Sequence, residues 1–265
     1  MPKVKVNNIN INYEQQGSGD PLVLIPYLTA DNACYAFQAA EYAKHFTCIS
    51  LDLRGAGASD ASPGPYTTEA LADDVAAFMA AIGVQKAHIF GLSLGAATGM
   101  WLAAKHPDKV KSLSLHSPWA KTDSFVKAVL GTWRTSAKAL GSVSEMVIQS
   151  LFPWCFTPEL YAAKPEYIQA LSDFVRSRPA MSLASFMQQS DAVLAHDVEA
   201  QLSRISAPTQ ISFGSTDRLT STRFADGLKS GIRNSELVIF EGCAHAALYE
   251  KVEEFNQRSL QFLRR

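Results

Sequence analysis

A serine, an aspartate and a histidine, distant along the chain, stand where side chains could carry out nucleophilic attack. Ser93 is the centre of Gly91-Leu92-Ser93-Leu94-Gly95, with His88-Ile89-Phe90 before it and Ala96-Ala97 after. A G-x-S-x-G run between an apolar strand and a small-residue helix lifts the serine hydroxyl above a sheet edge. The alternative is a glycine-rich turn with an incidental serine. A serine hydroxyl is a poor nucleophile at neutral pH and needs a base, for which an imidazole is suited. A carboxylate on the other ring nitrogen then sets the tautomer. His245 follows Glu241-Gly242-Cys243-Ala244, and Asp217 lies in Gly214-Ser215-Thr216-Asp217-Arg218. By itself each could be a turn or capping residue, and Asp191 is a second candidate for the acid. His45, His88, His106, His116 and His196 read as structural. Oxyanion donors should be backbone N–H groups. Leu94, starting the helix, is one. The other belongs to Pro26-Tyr27-Leu28-Thr29, where Pro26 has no N–H, Leu28 is the first choice and Tyr27 the second.

These groups need strands to present them. Residues 4–6 and 9–13 alternate apolar and polar, predicting two half-exposed antiparallel strands. Residues 22–25 read as a buried strand, apolar on both faces, 46–51 and 110–116 as further buried strands, and 88–90, 208–213 and 237–240 as strands. Helices are predicted over 31–44, 67–83, 96–105, 222–229 and 246–263, with Thr67 or Thr68 as a cap. This alternation means a mostly parallel sheet with helices on both faces, whose site lies beyond the carboxyl ends of the strands. Ser93, Asp217 and His245 each follow such a strand. From 119 to 206 alternation lapses into helical patterns containing three of the four tryptophans. That stretch is expected to be an inserted helical cap, leaving 1–118 and 207–265 as the core domain. The simpler alternative is more helices packed on the sheet.

Composition narrows the partners. Of 265 residues, 47% are hydrophobic and 18% charged, with a net charge of −1; the mean hydropathy is −0.01. These values fit a globular chain with no bias towards nucleic acid or membranes. Met1-Pro2-Lys3-Val4-Lys5 runs straight into strand residues, so no signal peptide is expected and the predicted setting is cytoplasmic. The four cysteines (34, 48, 155, 243) are scattered without C-x-x-C, which predicts neither a metal site nor disulfides. Cys48 and Cys243 read as packing residues. Asp52-Leu53-Arg54-Gly55-Ala56-Gly57-Ala58-Ser59 lacks a phosphate-loop ending and reads as a structural turn. Oligomeric state has no signature.

On these residues the chain resembles the α/β-hydrolase superfamily, over 9–118 and 207–265, with Asp52 to Ser59 similar to its D-x-R-G-x-G-x-S segment. The resemblance implies an α/β-hydrolase fold with eight strands, an inserted cap, and a Ser93–Asp217–His245 triad. Many members have His-Gly where this chain has Pro26-Tyr27. Within the superfamily it looks like the 3-oxoadipate enol-lactonases, through Gly64-Pro65-Tyr66-Thr67, the serine motif and Leu151-Phe152-Pro153-Trp154-Cys155-Phe156-Thr157. That likeness implies a serine hydrolase acting on a small carboxylic ester or (enol-)lactone without a cofactor. Tyr27, Trp119 and Arg134 are candidate substrate contacts, with Arg134 or Lys121 expected to meet a substrate carboxylate. Haloalkane dehalogenases and epoxide hydrolases use an aspartate where Ser93 stands. Carbon–carbon bond (vinylogous diketone) hydrolases and cofactor-free perhydrolases or haloperoxidases share the triad and remain alternatives, as does a non-catalytic small-molecule binder.

Overall fold

Strands whose residues are apolar on both faces can be stable only if helices cover both sides, and that is the arrangement found. In the computed structural model, which describes residues 2–265, the strands are β1 (Lys3–Val6), β2 (Ile9–Gln16), β3 (Asp20–Ile25), β4 (Phe46–Leu51), β5 (Ala87–Leu92), β6 (Val110–His116), β7 (Thr209–Gly214) and β8 (Ser235–Phe240). They form one sheet in the order β1-β2-β4-β3-β5-β6-β7-β8. β2 runs antiparallel to β1 and β4. From β4 to β8 every neighbouring pair is parallel. The last four residues of β3, β4 and β5 are all buried.

The helices follow the breaks in that pattern. α1 (Ala36–Tyr42), α2 (Thr68–Ala81) and α3 (Leu94–Lys105) alternate with strands. The Thr67 hydroxyl accepts from the Ala70 N–H and caps α2. Between β6 and β7 come α4 (Ser124–Leu140), α5 (Val143–Met146), a π turn (Val147–Leu151), α6 (Phe152–Cys155), α7 (Pro158–Ala163), α8 (Pro165–Ser177) and α9 (Leu183–Leu194). α10 (Ala225–Gly231), α11 (Ala247–Glu250) and α12 (Val252–Leu263) complete the chain. The single helix expected over 246–263 is thus two, parted at Lys251. α2 and α3 cover one face of the sheet, and the helices between β6 and β7 join the same apolar core. α1 and α12 pack on the other.

Within 119–206 the described residues contribute no strand to the sheet, only a bridge between Lys121 and Asp197. Around it the Thr122 N–H donates to His196 C=O at 2.9 Å, and the Val198 N–H to Ala120 C=O at 2.8 Å. The segment therefore leaves and re-enters the sheet domain side by side. Among the described residues no helix is long and apolar enough to cross a membrane.

Candidate active site

The serine turn is built by close approach. A Cβ on Gly91 would lie 2.3 Å from the Gly95 carbonyl carbon, and one on Gly95 would lie 2.1 Å from Ile25 O. Both distances are shorter than packed atoms reach, so glycine is needed at each position for β5, α3 and the end of β3 to meet. Ser93 between them has φ 53° and ψ −118°. That conformation costs a non-glycine residue about 1–3 kcal/mol and persists only where its surroundings over-determine it. Its N–H donates to His116 C=O at 2.9 Å, which anchors the turn to β6. Leu94 is the first residue of α3, so its N–H has no carbonyl earlier in the helix to bond.

Two strand ends away, the loops after β7 and β8 meet. His245 Nδ1 donates to Asp217 Oδ2 at 2.9 Å, and the two side chains are 4% and 0% exposed. Asp217 Oδ1 accepts from the Leu219 and Thr220 N–H groups at 2.8 and 3.1 Å. Burial pushes the Asp217 carboxyl up. The neighbouring imidazolium charge, the His245 hydrogen bond and the Leu219 N–H outweigh it, leaving the group below its ordinary value. Asp191 lies elsewhere, paired with Arg134.

Two residues not foreseen from sequence brace this pair. Thr220 Oγ1 donates to Ser117 C=O at 2.9 Å and lies 3.2 Å from His245 Nδ1. Ser117 Oγ donates to His245 C=O at 3.0 Å, while its N–H bonds Ser212 C=O. Ser117, just past β6, has φ 47°. Its position beyond a strand end was the available signal; no residue type marked it. Gln189 of α9, also not foreseen, ties the loops after β3 and β4: Oε1 accepts from the Thr29 N–H at 3.3 Å and Nε2 donates to Arg54 C=O at 3.2 Å.

Ser93 and His245 line one cavity, with Tyr27, Leu28, Trp119 and Thr220. The Leu28 N–H has no protein partner among the described residues. Tyr27 Oη lies 2.9 Å from Tyr249 Oη, and the Tyr249 hydroxyl donates to Cys34 C=O. This hydroxyl chain ties the loop after β3 to α11. Two expected contacts are not there. Arg134 is absent from the cavity wall and bonds Asp191 of α9. Lys121 pairs with Asp197 at 2.8 Å on the surface. The cation that does line the cavity is Arg178, between α8 and α9. Cys243 is fully buried, and burial pushes its thiol up to about 12.

The glycine-rich segment after β4 is an anchor for this rim. Asp52 accepts from Asn12 Nδ2 and the Ala58 N–H at 2.8 Å, and from the Asn32 N–H at 2.6 Å. At Gly57, φ +54°, a Cβ would lie 2.2 Å from Asp52 Oδ2. Arg54 grips Asp74 of α2 through Nε and Nη2 at 2.5 and 2.6 Å. Both charged groups are thereby occupied within the protein. No group of three or more His, Cys, Asp or Glu side chains among the described residues could hold a metal ion.

Comparison with known proteins agrees with this geometry. The alpha/beta hydrolase fold family matches residues 20–252. The 3-oxoadipate enol-lactonase 2 of Acinetobacter baylyi is 27% identical over 252 residues, covering 94% of this chain and 91% of its own. The RutD protein of Azorhizobium caulinodans, which bears the name of a carbamate hydrolase, is 25% identical over 265 residues, 99% of this chain and 98% of its own. The crystal structure of the enol-lactonase from Burkholderia xenovorans LB400 superposes with a TM-score of 0.90 at 25% identity, covering 100% of both chains. A family match across most of the sequence, on this strand order and this serine turn, makes the chain a member of the α/β-hydrolase family and a hydrolase.

Proposed function

We propose that this hydrolase cleaves a carboxylic ester or (enol-)lactone through an acyl-enzyme on Ser93. The carrying observation is that a buried His245–Asp217 pair and a strained Ser93 line or back the same cavity. Asp217 on Nδ1 leaves Nε2 as the free base. Nε2 takes the Ser93 proton as Oγ attacks the substrate carbonyl. The resulting oxyanion is held by the Leu94 and Leu28 N–H groups, each worth about 3 kcal/mol in such sites. Leu28 is the first choice for the second donor, its N–H having no protein partner among the described residues, and Tyr27 is the second. The imidazolium then protonates the leaving oxygen, and water repeats the route in reverse. The cycle calls on no metal or organic cofactor. Residues 119–206 act as the cap, supplying most of the apolar wall of the cavity. The relatives' names, enol-lactonase and carbamate hydrolase, both describe hydrolysis at an acyl carbon.

A fluorophosphonate probe with p-nitrophenyl acetate turnover tests this reading. Labelling and turnover should both vanish in Ser93→Ala, with kcat down by at least about 10³-fold. Undiminished labelling in that variant would move the nucleophile elsewhere, and no labelling of the wild type would favour a binding protein.

A further inference from the structure

The cavity carries information about substrate charge and size that the serine chemistry does not. Among the described residues, Arg178 is the only Lys or Arg lining it, and Asp31 the only Asp or Glu. The two are partners: Arg178 Nε donates to Asp31 Oδ2 at 2.8 Å, with the Asp31 side chain 8% exposed. Asp31 comes from the loop after β3 and also caps the short turn behind it, accepting from the Ala33 N–H at 3.1 Å. Val126, Leu130 and Trp133 of α4 with Val143, Val147 and Leu151 line the same cavity and make this part of its wall apolar, with Ser144 the polar residue among them.

Resting on the ester or lactone reading above, we infer that the substrate is uncharged and carries an apolar group of about six carbons. Arg178 gives Asp31 its Nε, so an anionic substrate could reach the Nη groups only beside that carboxylate, which cancels the guanidinium charge and repels it, and a cation meets the mirror problem. Either charge would also be stripped of water against hydrocarbon, which is costly unless a new partner is supplied. A neutral chain incurs neither penalty. The cavity sets the upper bound: at about 120 Å³ it is smaller than the apolar cavity of about 150 Å³ that holds a benzene ring, so about six carbons are the most it takes. This chain is thereby set apart from enzymes whose substrates end in a carboxylate.

Matched esters decide it: p-nitrophenyl acetate through decanoate, and mono-p-nitrophenyl adipate, which is as long as the hexanoate but ends in a carboxylate. kcat/KM should rise at least about tenfold from acetate to hexanoate and fall by decanoate. The adipate half-ester should lie at least about 50-fold below the hexanoate, a gap expected from an unpaired buried charge. In Asp31→Asn, which keeps a capping oxygen, that gap should shrink by at least about fivefold as Arg178 is released. Val147→Phe should move the optimum to butyrate or shorter. A flat or falling chain-length profile, or a half-ester equal to the hexanoate, overturns the inference. An unchanged gap in Asp31→Asn removes Asp31 as its cause. If either variant fails to fold, the wild-type profile still decides. Ser93 labelling separates the two levels: labelled protein with the wrong profile refutes this inference alone, and unlabelled protein refutes the hydrolytic reading beneath it.

Discussion

Two regions of the molecule bury an imidazole, and they use it oppositely. At the cavity, His245 has Nδ1 on a carboxylate and presents its ring to the space that Ser93 lines. Where the helical segment leaves and rejoins the sheet, His196 is used up by its neighbours. Its Nε2 donates to Trp119 C=O at 3.0 Å, and Nδ1 accepts from Thr68 Oγ1 at 2.8 Å. Burial pushes His196 down to about 4, and the Trp119 carbonyl and the nearby Asp197 charge, which is not bonded to the ring, oppose it only in part. His116 lies between the two, bonded through Nδ1 to Ser212 Oγ and set against Phe90 and Phe255 at 4.5 and 4.6 Å. Burial takes it to about 3. A buried imidazole facing hydroxyls and carbonyls is a neutral strut. One backed by a carboxylate can take up a proton and return it.

Removing each ring should separate the roles most sharply. His245→Ala is expected to lower kcat for p-nitrophenyl acetate by at least about 10³-fold, and also to lower the urea midpoint because the Asp217 carboxylate is left buried without its partner. His196→Ala should lower the midpoint alone. It leaves the Trp119 carbonyl and Thr68 hydroxyl buried without partners, costing about 1–3 kcal/mol each, while turnover of the folded fraction stays within about tenfold. Equal loss of turnover in both variants would erase the distinction.

The carboxylate is the next largest difference. Asp217→Asn should cost about 10³- to 10⁴-fold in kcat with KM within a few-fold, because an amide can hold the ring but favours the wrong tautomer. Steady-state kinetics on the variant would check this, and a loss confined to KM would break the comparison.

Acid provides a third contrast. Both strut histidines have folded values below the ordinary 6.5, so between about pH 6.5 and 4 the unfolded chain binds more protons than the native one. Stability is full above that window and falls as pH drops through it, by up to about 1.4 kcal/mol per unit for each histidine. Asp217, held below its ordinary carboxylate value, adds its own loss only at lower pH. Urea midpoints from pH 7 to 4 should therefore fall steeply, and His196→Gln should remove about one proton from the slope. A slope unchanged by that substitution would show that His196 does not titrate with unfolding.

How far these sites could be read in the sequence follows from what sets each residue's direction. Ser93, Asp217 and His245 were legible as candidates because each follows a short apolar strand that ends at a glycine-containing loop, and the next few residues must stand at the rim. The glycines of the serine motif were legible for the same steric reason the structure gives: Gly91 and Gly95 have no room for a Cβ. The break at Lys251 was not, because it answers to tertiary bonds. Glu250 turns in, Oε1 accepting from the Thr157 N–H at 2.7 Å and Oε2 from the Ala244 N–H, and nothing in Ala247-Leu248-Tyr249-Glu250 announces that. The cavity wall was illegible in a similar way. Helical periodicity shows that a helix has an apolar stripe but not which charged residue at its margin will turn inward. Arg178 enters because α8 ends at Ser177 and the next residue is extended, at φ −83° and ψ 157°.

Arg134 carries the smallest expected effect. It sits at the margin of the α4 stripe formed by Val126, Leu130 and Trp133, where its guanidinium meets Asp191 of α9 rather than the cavity. The partner carboxylate is about half exposed, and pairs in such settings are worth about 0–1 kcal/mol. Arg134→Ala should therefore leave kcat/KM within about twofold for both the hexanoate and the adipate half-ester, and shift the urea midpoint by no more than that pair is worth. The half-ester is the informative substrate, since an arginine that met its carboxylate would show a selective loss there. A drop of tenfold or more for the half-ester alone would return Arg134 to the substrate-binding wall and reassign the charge preference from Arg178 to α4.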